Sequence, residues 1–330
     1  MPDITRREFG GVVIGALGAA GQRVSPVQRA SAYRYVHLDV FTDTRLQGNQ
    51  LFVYTDPVGL DADAMLALTR ESNLSENTFV FPPEQPGTDY RVRIFTRAAE
   101  TPFAGHPTIG TAFALAHTGA LKPGQTTTTF GLGVGPTPID LEWKDGRLAF
   151  AWMTQQKPTF GKTVSDASAL ASAIGVEAAA IDTRAPAQEV YSGSTFFVVP
   201  LTTRKAVDAA VLDRAKIDAV FNGAGIQRRG IYIFTTERGP DDAAAYSRLL
   251  GGAGAIEDPA TGSAAGPAGA FMAKYGFATG TGAASIVFLQ GVLVRRPSRL
   301  HVRVNRAGGE VTGVKVGGSS VVVGEGTATL

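Results

Sequence analysis

The chain has 330 residues, 44% hydrophobic and 18% charged, a formal net charge of +2 and no cysteine. That composition is globular, with room for one or two buried cores, and it excludes disulfides, thiolate metal sites and cysteine nucleophiles. Four of the 31 basic and two of the 29 acidic residues fall in residues 1–32; the remainder is balanced and carries no basic stripe for phosphates, so nucleic acid is not an expected partner.

Residues 1–32 read as a separate object. In "ITRREFGGVVIGALGAAG" the pair Arg6-Arg7 precedes Phe9 and a weakly apolar run from Val12 to Ala20. The run is too short and too rich in glycine to span a bilayer stably. It reads as a cleaved export signal of the twin-arginine type. The small-residue cleavage site is either "ASA" at Ala30 to Ala32 or a point near Ala20. This predicts a periplasmic or exported protein; the alternative is a cytoplasmic protein with an N-terminal extension. No later run is long enough for a membrane helix, so no membrane contact is expected after cleavage.

Strand-like alternation begins at Tyr33 in "YRYVHLDVF" and resumes in "NQLFVYTD". "DADAMLALTRES" predicts a helix capped by Asp61, with Met65, Leu66 and Leu68 on one face. "NTFVFPP" and "DYRVRIFT" are strands, and "GHPTIGTAFALAHTGAL" is a helix. Residues 126–153 alternate again. "VSDASALASAIG" predicts a helix with Ser165 as cap candidate. "TFFVVPL" and "GIYIFTTE" are strands, "SAAGPAGAFMAKYG" is a short helix, and the tail from Ala284 is mostly strands. Strands dominate and helices are few, which is α+β and not a doubly wound sheet.

Two segments repeat. "ETPFAGHPTIGTAF" aligns with "EDPATGSAAGPAGAF" when Glu100 is set on Glu257. Pro102 then meets Pro259, Gly105 meets Gly262, His106 meets Ser263 and Thr101 meets Asp258. Duplication of one unit is the economical explanation. Each segment opens a helix. Pro107 is expected at the first helical position, where its missing N–H costs nothing. Gly105 and Gly262 let backbone approach a ligand, and the free N–H groups and dipole of a helix start favour an anion. His106 can exchange protons near neutral pH, and Asp258 can reach across its turn as base or orienter. Glu76, in "ESNLSENTFV" before an apolar strand, is expected to be partly buried, which raises its pKa toward acid/base use.

Each residue also has a plain structural reading. His106 could cap its helix, Asp258 could form a turn, Ser263 could be an N-cap and Glu76 could be a solvated loop residue. His117 lies about 16 Å further along the helix than His106 and is read as structural. The four histidines lack metal-ligand spacing, so no metal site is expected. "GLGVG" at Gly131 to Gly135 lacks the spacing and following helix of a nucleotide loop.

"SENTFV", "ETPFAGHPTIGTA" and "IEDPATGSA", in this order, together with "GNQLFVY" and "QG…RPSRLHV", resemble the phenazine-biosynthesis F-type (PhzF-like) isomerase family over about residues 33–330. The resemblance implies a diaminopimelate-epimerase-like fold: two pseudo-symmetric domains, each a β-barrel-like sheet around a central helix, with the site between them. The expected division is residues 33–148 and 149–330, the last strand being a candidate to return to the first domain. The resemblance also implies a cofactor-independent proton shift on a small carboxylated substrate. Glu76 matches the general acid/base. His106 and Asp258 match groups that assist proton transfer, and Ser263 matches a carboxylate-binding residue beside the backbone of Gly105 and Gly262. A homodimer is implied by the resemblance alone. Alternatives are an amino-acid or hydroxy-acid racemase or epimerase, or an exported binding protein for small carboxylates. The family often has glycine before "RPS", where this chain has Arg295.

Overall fold

A computed structural model describes residues 31–251, 257–278 and 284–330. The export-signal motif lies outside these residues. The described residues form 17 strands and six α-helices. The chain runs β1 (Ala32–Val40), β2 (Asn49–Tyr54), α1 (Ala62–Ser72), β3 (Glu76–Phe81), β4 (Tyr90–Thr96), the two-residue β5 (Glu100–Thr101) and α2 (Gly105–His117). It continues through β6 (Thr127–Leu132), β7 (Gly135–Lys144), β8 (Arg147–Thr154), β9 (Thr159–Val164), α3 (Ala167–Ala173), β10 (Ala187–Tyr191) and β11 (Thr195–Pro200). Then come α4 (Arg204–Ala209), α5 (Arg214–Ala224), β12 (Ile231–Thr235), β13 (Ala245–Leu250) and α6 (Gly262–Lys274). The chain closes with β14 (Ala284–Gln290), β15 (Ser298–Ala307), β16 (Glu310–Gly318) and β17 (Ser320–Thr329).

The pairings resolve into two equivalent sets. One runs β17-β1-β2-β3-β4-β6-β7-β8. The other runs β9-β10-β11-β12-β13-β14-β15-β16. In each set the third and fourth strands are parallel, as are the fifth and sixth, and all other neighbours are antiparallel. Antiparallel pairing of β8 with β16 joins the sets. The outermost strands are exchanged: β9 follows β8 in the chain but pairs with β10, and β17 follows β16 but pairs with β1. Two parallel steps per set need crossovers; α1 and α2 supply them in the first set, and α4 with α5, then α6, in the second.

The helices divide by sequence. In α2 every residue from Gly105 to Leu115 is buried, and α6 is buried on nearly all sides. Helices apolar all round belong inside a core, and both lie in one continuous hydrophobic cluster with Ile109, Phe113 and Phe271 beside strand residues such as Leu51, Val302 and Val316. α1 is amphipathic, capped by Asp61, which accepts from the Ala64 amide, and it buries Met65 and Leu68. The cap of α3 is Asp166, not Ser165: the Asp166 carboxylate accepts from the Ala169 amide. Helices α4 and α5 were not anticipated. Their signals are local, with Thr203 and Asp213 as side-chain caps and Ile217 and Phe221 buried four residues apart.

Candidate active site

Helices α2 and α6 meet nose to nose. A Cβ on Gly105 would stand 2.4 Å from both the carbonyl carbon of Gly262 and the amide nitrogen of Ser263. A Cβ on Gly262 would stand 2.8 Å from the Phe41 ring. Gly105 is thus demanded by backbone touching backbone, and Gly262 by the Phe41 ring packed against it. Ala104 and Thr261 are the N-cap residues, and neither makes a side-chain cap hydrogen bond. Neither helix start has a side-chain cap and the two lie against one another, an arrangement suited to an anion. Pro107 sits third in α2, not first; it is tolerated there because the first four N–H groups of a helix have no intrahelical partner. Ser263 is likewise second in α6 and not its cap.

The turn leading into each helix is pinned in the same way. Glu100 is held by Arg93 of β4 through contacts of 2.8 and 2.5 Å. Glu257 is held by Arg248 of β13 through contacts of 3.0 and 2.7 Å. The strands occupy equivalent places in the two sets, and the glutamates are those aligned in the sequence repeat. Arg248 also donates to the carbonyls of Val207, Asp208 and Ala210 at the end of α4.

Around this meeting point the structure brings Glu76, His106, Asp258 and Ser263 together. Glu76 opens β3; its Oε2 lies 3.7 Å from His106 Nε2, and the side chain keeps 21% of its exposure. Burial, and after it the charge of Asp258, pushes the Glu76 carboxyl up to about 7. His106 is buried, and burial pushes its imidazole down to about 3 against a hydrogen bond to the Gln50 backbone. It is therefore neutral at physiological pH, and its Nε2 has no hydrogen-bond partner among the described residues.

Asp258 is anchored where Glu76 is not. Its Oδ1 accepts from Asn49 Nδ2 at 2.6 Å and its Oδ2 from the Thr261 hydroxyl at 2.7 Å. Burial pushes its carboxyl up to about 6, opposed by these two donors. Behind it Gln290 Nε2 donates to the Asp258 carbonyl at 2.8 Å and to Thr261 Oγ1 at 2.9 Å. Gln290 Oε1 accepts from the Thr261 amide and from Tyr232, whose hydroxyl also contacts Ser247. A carboxylate with donors on both oxygens is held as an acceptor.

Asn49, Gln290, Thr261 and Tyr232 were not singled out from the sequence. Asn49 and Gln290 stand at the ends of strand segments already quoted for the family resemblance, and that position was their only local signal. His117 pairs with Glu325 near the far end of α2. A surface recess of about 790 Å³ also lies there, lined by Arg34, Tyr35, Thr118 and Glu325, about 20 Å from the helix noses along α2.

The family model described as "Phenazine biosynthesis-like protein" matches residues 38–326. Trans-2,3-dihydro-3-hydroxyanthranilate isomerase of Pseudomonas aeruginosa is 36% identical over 311 residues, covering 90% of this chain and 100% of that one. The solved phenazine biosynthesis protein of the PhzF family from Bacillus anthracis is 25% identical, with TM-score 0.81 over 91% of this chain and 100% of that one. A hydroxyproline epimerase from Agrobacterium vitis, 13% identical, shares the fold at TM-score 0.60 over 91% of this chain and 93% of that one. The two-set architecture is thus the diaminopimelate-epimerase-like fold. With the matched region spanning nearly all described strands, the chain belongs to the PhzF-like family of isomerases.

Proposed function

We propose that the protein is a cofactor-independent isomerase that moves a proton by Glu76 acid/base catalysis on a small carboxylated ring compound of the trans-2,3-dihydro-3-hydroxyanthranilate type. The observation that carries this reading is the unanchored Glu76 carboxyl, raised to about 7, facing the paired helix starts. Glu76 removes a proton from carbon beside an unsaturated or carbonyl group, the electron pair shifts along the conjugated system, and the Glu76 carboxyl, which exchanges its proton with solvent, delivers a proton to another carbon. Helix N–H groups, with Ser263 beside them, hold the substrate carboxylate and offset the developing negative charge. His106, neutral, and Asp258, an anchored carboxylate, orient the substrate around Glu76.

A base must be deprotonated to act, so kcat/KM should rise with pH through an inflection near 7 and fall away below it. The test is turnover of trans-2,3-dihydro-3-hydroxyanthranilate in deuterated water. A shifted double bond with deuterium at the receiving carbon supports isomerisation; recovery of unreacted, unlabelled substrate contradicts it. A second reading, an epimerase, is favoured by the presence of a second raised carboxyl, Asp258. It expects deuterium at one stereocentre with no bond migration.

Export by residues 1–32 and a homodimeric assembly are part of the same proposal. Ser31 exchanges backbone hydrogen bonds with Leu330, and Ala32 opens β1. A cut near Ala20 would preserve that ladder and is the site we favour. A reporter fused to residues 1–32 and retained in the cytoplasm would count against export; a monomer by light scattering would count against the dimer.

A further inference from the structure

We propose that Asn49 is the positioning residue that holds the acid/base groups of the two halves in register; the proposal rests on the isomerase reading above. Asn49 opens β2 and is 3% exposed. Its amide nitrogen donates to Asp258 Oδ1 at 2.6 Å and to the Ala260 carbonyl at 2.9 Å, and it stands 3.1 Å from His106 Nδ1. Its amide oxygen accepts a long hydrogen bond, 3.4 Å, from the Ser75 hydroxyl. Ser75 is the residue next to Glu76 in the chain. One small side chain therefore touches Asp258, stands beside His106, and holds the residue next to Glu76.

The second half also fixes where Asn49 stands. Arg296, in the loop between β14 and β15, donates to the carbonyls of Gln47 and Gly48 at 2.8 and 2.7 Å. The same guanidinium pairs with Asp39, which is 1% exposed and accepts from the Leu46 amide. The segment from Leu46 to Asn49 is thus fastened between β1 and the opposite half. An amide suits the position for a chemical reason. It donates twice, to a carboxylate and to a carbonyl, while accepting once, and it carries no proton that either carboxyl could take. Aspartate in its place would set an acceptor against two acceptors. By donating to Asp258, Asn49 favours its ionised form and leaves Glu76 to carry the proton. Asp258 is faced by Glu76, Glu257 and Tyr232 as well, and His106 stands against the same Asn49 amide, so its titration reports on the whole cluster.

The test pairs a substrate-free measurement with kinetics. Carbon-13 carboxylate NMR of Asp258 is followed against pH in wild type, N49S and N49D. Loss of a charge-assisted bond should move the Asp258 inflection upward by about one unit. With trans-2,3-dihydro-3-hydroxyanthranilate as probe, kcat should fall by roughly 100-fold or more with KM changed by less than about threefold. A merely structural residue would lower the folded fraction and leave the Asp258 inflection in place; that result overturns the proposal, as does a raised KM at unchanged kcat. If both variants fail to fold, wild type decides: the Asn49 side-chain amide resonance must move with the Asp258 inflection, and a resonance indifferent to it overturns the proposal. If wild type does not turn the probe over, the isomerase reading fails alone, and the NMR result still decides the role of Asn49.

Discussion

The turn before α2 and the turn before α6 are built on one plan and carry different chemistry. Each has an arginine from the equivalent strand gripping an aligned glutamate, and each ends in a glycine pressed against the other helix. At the first turn the groups proposed for the chemistry are His106 and, from the neighbouring strand β3, Glu76. In the second they are Asp258 and Ser263, backed by the buried network of Thr261, Gln290 and Tyr232. Duplication has supplied the shared scaffold, two uncapped helix starts facing one site. In the proposed mechanism the mobile proton belongs to one side and the fixed acceptor to the other. Electrostatics follow that division: burial raises the Glu76 carboxyl, while both oxygens of Asp258 are occupied by donors.

The shared scaffold is the most fragile part. Gly105→Ala would drive a methyl group into the backbone of Gly262 and Ser263, with no flexible side chain to yield. We expect a loss of about 3 kcal/mol or more, read as a lower denaturant midpoint at unchanged slope. A midpoint within experimental error of wild type would show that the helix noses are not in contact.

Electrostatic cost should appear on the first side. Glu76 is raised above its unfolded pKa, so the folded state binds more protons there, and this contribution to stability is lost as pH rises from about 4.5 through about 7. Glu76→Gln removes that loss. The variant should be more stable than wild type at pH 8 by roughly 2 kcal/mol, and the advantage should vanish at pH 4. Equal melting temperatures at pH 8 would contradict the burial of this carboxyl.

The two arginine clamps should differ in strength. The side chains of Arg248 and Glu257 are 11% and 16% exposed, against 17% and 41% for Arg93 and Glu100. Arg248→Ala should therefore destabilise by about 3 kcal/mol and Arg93→Ala by about 1 kcal/mol in urea unfolding. Equal losses would mean that the clamps are equivalent in energy as well as in place. The smallest effect is expected at Arg295, where the family often has glycine. Its φ is 58°, in the left-handed region that costs an L side chain about 1 kcal/mol. Arg295→Gly should be neutral or stabilising by up to about 1 kcal/mol, and a clear loss of stability would show that the arginine makes a compensating contact.

How much could be read from the chain depended on how far each signal reached. The turn motifs were legible because glycine, proline and histidine were crowded into a few residues and repeated. Glu76 was legible because it abuts an apolar strand. Asn49 was not: its partner Asp258 lies 209 residues away, and nothing within a local window marks an asparagine as a bridge. Gln290 and Tyr232 escaped for the same reason, as buried polar residues in strands whose partners come from other segments. Helices α4 and α5 were missed although their caps and spacing are local; both sit in a polar, alanine-rich stretch with weak apolar periodicity. Pro107 was expected at the first helical position because proline favours it, although the helix segment starts at Gly105 and places Pro107 third.

The central claim is that Glu76 carries the proton and Asp258 does not. It is tested most directly by Glu76→Gln in deuterated water, with trans-2,3-dihydro-3-hydroxyanthranilate and binding followed by calorimetry. The account predicts that deuterium incorporation and turnover fall by at least about 1,000-fold while the dissociation constant stays within a few-fold of wild type. Retained incorporation in a variant that still binds would contradict it and would move the proton to Asp258 or His106.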